Sequence, residues 1–396
     1  MTWRRSQWGL AIGAAAILGA AFLSGGPQTG ISLRPDTVVA ELGGGLAVSA
    51  ALRDAVQAQR TDPMNVAAAT AAARLMIDEG RAKGDSRLVG AALAILAPHL
   101  RDQVLGAQYL AATARQYQHD FPGALVLLDA VLTADPLDVN ARLSRATIRT
   151  VQGDYPAALE DCARISALRA DVGFLCQATA LTATRDAPRV AERLTAILGQ
   201  AARLDTALIL WARSLRAEIA LLQGDTVTAE AQLRIVLGDD PMAQREQLML
   251  ADLLLARSRA DEVETLLHAS PDTDGVLIRR VLAARAQGAD APGLVTTLAS
   301  RAQRSLDIGL VAHAREEAMF YLMIADDPGR ALERALVNWD LQHEVDDAQL
   351  LILAAAAAGM PEAARPVLDW MQKNAIEIPA FVIPASVADL QDPAKL

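Results

Sequence analysis

Lysine is almost missing from this sequence. Lys83, Lys373 and Lys395 are the only three in 396 residues, so arginine carries nearly all of the positive charge. The net charge is -10. Without a basic stripe there is nothing to displace phosphate counterions, which excludes a nucleic-acid partner and a broad hold on anionic lipid. Aromatic residues are also scarce, at 4%, although 52% of the chain is hydrophobic. The core must therefore be built from Ala and Leu, which favour closely packed helices over strands. Catalytic signatures are missing as well. There is no G-x4-G-K-[ST] loop, no strand-to-helix G-x-G-x-x-G, no H-E-x-x-H and no C-x-x-C. A G-x-S-x-G nucleophile elbow is absent. The sequence thus points to a protein that is not an enzyme and has no cofactor or metal.

The N-terminus reads as an address. Arg4 and Arg5 precede an uncharged run from Trp8 to Leu23, ended by Gly25, Gly26 and Pro27. A positive segment followed by an apolar one fits an export signal. The positive-inside rule then places everything after Pro27 outside the cytoplasm. Sixteen residues cover roughly 24 Å as helix, short of a bilayer core of about 30 Å unless Trp3 and the flanking glycines extend it. Signal-peptidase sites want small residues, and Leu23 sits at the third position before a cut after Gly25. The expectation is an uncleaved anchor in a bacterial inner membrane, facing the periplasm. A cleaved signal peptide and a periplasmic protein is the second reading, and a buried N-terminal helix the third. Residues 31–45, with Pro35 and Gly43–Gly45, read as a linker.

The body repeats. Asp120-Phe121-Pro122 matches Asp154-Tyr155-Pro156, and Ala124-Leu125 matches Ala158-Leu159. Weaker copies follow Gly84-Asp85 and Gly224-Asp225, and Ala331 is matched by Ala364 at nearly the same offset. Asp-Pro pairs at 62, 135, 240 and 327 punctuate the chain. The stretches at Asp186-Ala187-Pro188 and 288–307 depart from the pattern. The offset is that of a helical-hairpin repeat of about 34 residues, and on these residues the chain resembles the tetratricopeptide repeat family. Gly153-Asp154-Tyr155 resembles that family's turn between the two helices of a repeat. Ala124, Ala146 and Ala158 resemble its small crossing residues, and Pro136 its closing proline. The chain also resembles exported bacterial proteins of this repeat type over most of its length. The resemblance implies an all-α, right-handed α-solenoid of about nine hairpins across 46–377. An N-terminal hydrophobic helix precedes it, and an extended tail over 378–396 caps the last hairpin.

Several residues are candidate sites. Asn140 begins a first helix that carries Arg142, Arg145 and Arg149 on one face. In the resembled family such faces line a concave groove that holds peptides, and an Arg stripe there would clamp a carboxylate. The family's Asn and Lys clamp pattern is not reproduced, and the competing reading is a basic face paired with nearby acids. Cys162 and Cys176 fall on consecutive helices. They are either a disulfide, which an exported protein would keep, or two separate buried thiols. His313 and Glu317 stand four apart, and His343-Glu344 lies beside Asp346-Asp347. These are metal candidates set against solvated helix faces. Trp211, Trp339, Trp370, Phe320 and Tyr321 read as core. The expected function is an exported, membrane-anchored scaffold for a protein or peptide partner. A small-ligand or metal-ion binder is the alternative. An enzyme acting on glycans would need a set carboxylate pair, which nothing in the sequence selects.

Overall fold

A computed structural model describes residues 48–200 and 204–379. The apolar run at Trp8–Leu23, the linker and the tail from 380 lie outside the described residues. The helices are α1 (Ala50–Thr61), α2 (Val66–Lys83), α3 (Ser86–Arg101), α4 (Leu105–Tyr117), α5 (Phe121–Ala134) and α6 (Val139–Val151). They continue as α7 (Tyr155–Ser166), α8 (Ala170–Leu181), α9 (Ala187–Leu198), α10 (Thr206–Leu222), α11 (Thr226–Asp239), α12 (Gln244–Ala256) and α13 (Ala260–Leu267). The last are α14 (Asp274–Ala286), α15 (Pro292–Asp307), α16 (Ala314–Met323), α17 (Pro328–Leu341), α18 (Val345–Ala357) and α19 (Arg365–Lys373). From α2 onward they pair into nine hairpins among the described residues. The even-numbered helix is the first arm of each hairpin and the odd-numbered helix the second.

The repeated residues make the repeated turn. Gly153 has φ +73°, a left-handed conformation that costs glycine little. The Asp154 N–H reaches back to Arg149 O at 2.8 Å and closes α6. The Asp154 side chain then accepts from Ala157 N–H at 3.3 Å and opens α7, with Pro156 in its first turn. Asp120, Asp225 and Asp327 cap α5, α11 and α17 in the same way. Ala124, Ala158, Ala229, Ala331 and Ala364 are fully buried where the arms cross. Only a methyl-sized side chain permits that approach.

The stack is curved. The first arm of each hairpin packs on the first arm of the next along most of the chain, for example α2 on α4, α12 on α14 and α16 on α18. The second arms have no comparable contact with each other. A stack held closer along one layer bends toward that layer, and here the bend closes a full turn. A Cβ on Gly84 would stand 2.7 Å from the Thr273 side chain. His343 N–H donates to Val151 O at 2.6 Å, and Glu377 N–H donates to Ala183 O at 3.0 Å. The partners advance in step along the chain: 84 meets 273, 151 meets 343, and 183 meets 377. Turns that join first arm to second therefore meet, between five and six repeats later, the turns that join one hairpin to the next. A seam forms between successive windings of the coil.

The irregular turn at Asp186-Ala187-Pro188 belongs to this seam. Thr184 forms an antiparallel bridge with Ile376, and Arg185 N–H donates to Ala375 O at 3.3 Å. The sequence placed the C-terminal tail over the last hairpin. That tail lies outside the described residues from 380 on; the segment just before it, 375–377, lies on the fourth hairpin, because the winding brings that hairpin alongside.

Candidate functional site

The arginine stripe of α6 is paired with acids, as in the competing reading. Arg142 Nη1 meets Asp161 Oδ1 at 3.1 Å. Arg145 donates to the same carboxylate through Nε at 2.9 Å and Nη2 at 2.6 Å, and Arg149 Nη1 does so at 2.8 Å. Asp161, on α7, is only 1% exposed. Arg145 Nη1 also reaches Asp129 on α5 at 2.6 Å. Both acids belong to second arms, so the stripe points at the second-arm layer and is occupied there. Arg142 Nη2 additionally donates to Pro136 O at 2.6 Å. Gln247 repeats this bond to Pro241 O at 2.7 Å. The two Asp-Pro turns, three repeats apart, are thus equivalent, and Arg142 ties its turn down as Gln247 does. Asn140 differs. It is exposed, and in the same register it corresponds to Arg245.

Arg245 belongs to a second set of charges, which joins first arm to first arm. Glu218 on α10 takes Thr182 of α8 at 3.1 Å and Arg245 of α12 at 2.7 Å. Asp252 on α12 takes Arg279 of α14 at 2.7 Å. Arg315 on α16 grips Asp347 of α18 with Nε at 2.6 Å and Nη2 at 2.8 Å, and Nη2 also reaches Glu344. Asn338 Nδ2 and the Glu344 N–H complete the donors on Asp347, at 2.6 and 2.9 Å. Burial pushes Asp347 up to about 6, with the Arg315 charge opposing. Burial would also raise Glu344, but Arg315, Arg245 and His119 hold it below the usual carboxylate range. Burial, then the charges of Glu344 and Glu218, push the Tyr155 phenol up. Glu344 thus shares one field with Arg245, His119 and Tyr155, which come from three other hairpins. Its side chain is nevertheless 43% exposed, and that of Arg245 is 55% exposed. These groups are wet although protein surrounds them.

The remaining candidates are placed as follows. Cys162 and Cys176 are bonded, with Cα atoms 5.4 Å apart, and link α7 to α8. Trp211 packs against the apolar cluster that contains that pair. Glu317 is buried against Arg334, whose Nε lies 2.5 Å away, and His313 stands at the N-cap of α16. The His343 Nδ1 lies 2.7 Å from Gln152 O in the seam. Among the described residues no three potential ligands gather as a metal site. Trp339, Trp370, Phe320 and Tyr321 are buried in one cluster.

Sequence reasoning missed the first-arm ladder, although a signal was present. Glu218 and Arg245 are 27 residues apart, and so are Asp252 and Arg279. That spacing is one repeat less two helical turns, the reach of an Arg bending back onto the preceding first arm.

No family model and no curated protein matches this sequence. Among solved structures, a tetratricopeptide repeat protein from Parabacteroides merdae is similar at 12% identity and a TM-score of 0.37, over 77% of this chain and 99% of that one. The Naa15/Naa10 complex bound to HypK-THB is similar at 15% identity and a TM-score of 0.25, over 82% of this chain and 60% of that one.

Proposed function

We propose that this protein is an exported, membrane-tethered scaffold that holds a protein or peptide partner along the concave, first-arm side of its coil. The observation that carries this reading is the ladder of charges on the first arms, whose partly exposed members are Glu218, Arg245, Asp252 and Glu344. Acids and arginines alternate there on neighbouring helices, and a polypeptide bearing both signs exchanges those pairs one for one. Each exchange loses little, because partly solvated pairs are worth about 1 kcal/mol or less. Solenoids offer such extended surfaces to extended partners. Arg4, Arg5 and the apolar run after them support export. So does the Cys162–Cys176 bond, since disulfides persist in oxidising compartments.

In-cell photo-crosslinking tests the reading. A crosslinker at Asn140 or Arg245 is expected to capture one discrete partner. A crosslinker at Glu160, on a second arm with 65% side-chain exposure, is expected to capture none. Capture from Glu160 alone, or from none of the three, overturns the assignment.

A further inference from the structure

The seam covers only half of the turns able to form it. The turns within hairpins at Gly84 and Gly153 lie under the next winding, and Cβ atoms there would meet Thr273 and Trp370 at 2.7 Å. The same turn recurs later at Gly224, Gly288 and Gly359, again with positive φ. A Cβ at any of these three would meet nothing within 4 Å. Among the described residues no later winding remains to cover them, so they form an open rim. The opposite rim is open for the complementary reason. Turns between hairpins at 273, 343 and 376 sit on an earlier winding. Among the described residues, the corresponding turns at Met64, Leu105, Leu137 and Leu168 have no earlier winding to sit on.

Those uncovered turns carry apolar tips. Asp-Pro is followed by Met64, Leu137 and Met242, which are 62%, 66% and 50% exposed. Single exposed apolar residues are ordinary, but these recur at one structural position along one rim. The other rim ends in Met360, which is 48% exposed. Each rim is the type of edge that the other type already covers inside the chain. The geometry points to a second copy of this chain as the occupant: the open between-hairpin rim of one copy docks on the open within-hairpin rim of the next and continues the seam. The contact is heterologous, so it leaves a free rim at each end and propagates head to tail.

Acids outnumber bases on both rims, although Arg169 stands on one and Arg257 and Arg259 on the other. Asp62, Asp135 and Asp240 flank the apolar tips of one, and Asp290, Asp326 and Asp327 lie on the other. Their repulsion is screened as the Debye length falls from about 30 Å at 0.01 M salt to about 8 Å at 0.15 M. Assembly therefore strengthens with salt. A cationic partner on the same rim would weaken with salt.

The test is sedimentation velocity of the full chain in one mild detergent, across a wide concentration range at low and high salt. Wild type is expected to form species beyond the dimer that grow with concentration and salt. Leu137→Asp and Met360→Asp each spoil one rim and are each expected to stay monomeric. Mixed together they retain one good rim apiece, so the mixture is expected to give heterodimers and stop there. The proposal is overturned by a wild type that stays monomeric, by assembly that salt weakens or either variant leaves intact, or by a mixture that shows no heterodimer.

Discussion

Gly153 lies directly beneath Trp370: a Cβ on the glycine would stand 2.7 Å from the indole Nε1, although six hairpins separate the two residues. Gly224 has nearly the same backbone, with φ +77° against +73°, but faces open space. The pair separates backbone strain from seam packing. Alanine at either position takes the left-handed penalty of about 1–2 kcal/mol. Gly153→Ala must also move a buried tryptophan, at a further cost of about 1–3 kcal/mol. Urea titration is expected to show the lower midpoint for Gly153→Ala. Equal midpoints would mean that the seam adds nothing to stability.

Asp161 is, among the described residues, the one buried acid serving three guanidinium groups. Asp161→Asn keeps the shape and removes the charge, leaving Arg142, Arg145 and Arg149 facing one another. Breaking a buried pair costs about 3–5 kcal/mol. Asp129, whose side chain is 58% exposed, offers the contrast. Asp129→Asn is expected to cost less than about 1 kcal/mol. Thermal or urea unfolding of the two variants distinguishes them. If Asp161→Asn is as stable as wild type, the arginines are not held by that carboxylate.

The disulfide closes a loop of 14 residues in sequence separation, and both cysteines are buried. In the chain-entropy model a loop near this length contributes about 3 kcal/mol. The double variant Cys162→Ser, Cys176→Ser is expected to unfold at correspondingly lower urea. Thiol titration of the denatured, unreduced protein is expected to find no free thiol, and two thiols would dismiss the bond.

Local grammar made the hairpins legible. A left-handed Gly, an Asp cap and a Pro in the first turn act within a few residues of one another, so Gly153-Asp154-Tyr155-Pro156 announces its own structure. Nine hairpins were expected, and nine are present among the described residues. The arginine face was harder to read. Arg142, Arg145 and Arg149 share a helical face in either reading, and only the neighbours decide which layer that face meets. Asp161 lies 12 to 19 residues beyond them, on the next helix. The seam was least legible. It joins Val151 to His343 and Ala183 to Glu377 through backbone hydrogen bonds, which carry no side-chain signature. Its interval of between five and six repeats depends on the curvature summed over several hairpins, to which every packed pair of first arms contributes.

His119 is expected to make that seam sensitive to acid. It occupies the turn between α4 and α5 at φ +60° and stacks on Phe121 with ring centroids 5.5 Å apart. Burial lowers its pKa below 6.5, the charges of Arg315 and His313 lower it further, and Glu344 partly offsets them. A lowered folded-state pKa means that the unfolded chain takes up the proton first. The His119 contribution is therefore fully present above about 6.5 and is lost as pH falls below it. Asp347 acts in the opposite sense. Its raised pKa of about 6 lets the folded state take a proton before the unfolded chain does, which adds stability as pH falls toward the ordinary carboxylate range. Wild type alone thus reports a mixture. His119→Asn isolates the histidine, because asparagine tolerates the left-handed conformation and does not titrate. The stability difference between wild type and His119→Asn, followed by urea midpoint from above 6.5 downward, is expected to shift against wild type as the solution becomes acidic. A difference that stays flat with pH would mean that His119 gains no proton on unfolding, and that its field from Arg315 across the seam is not felt.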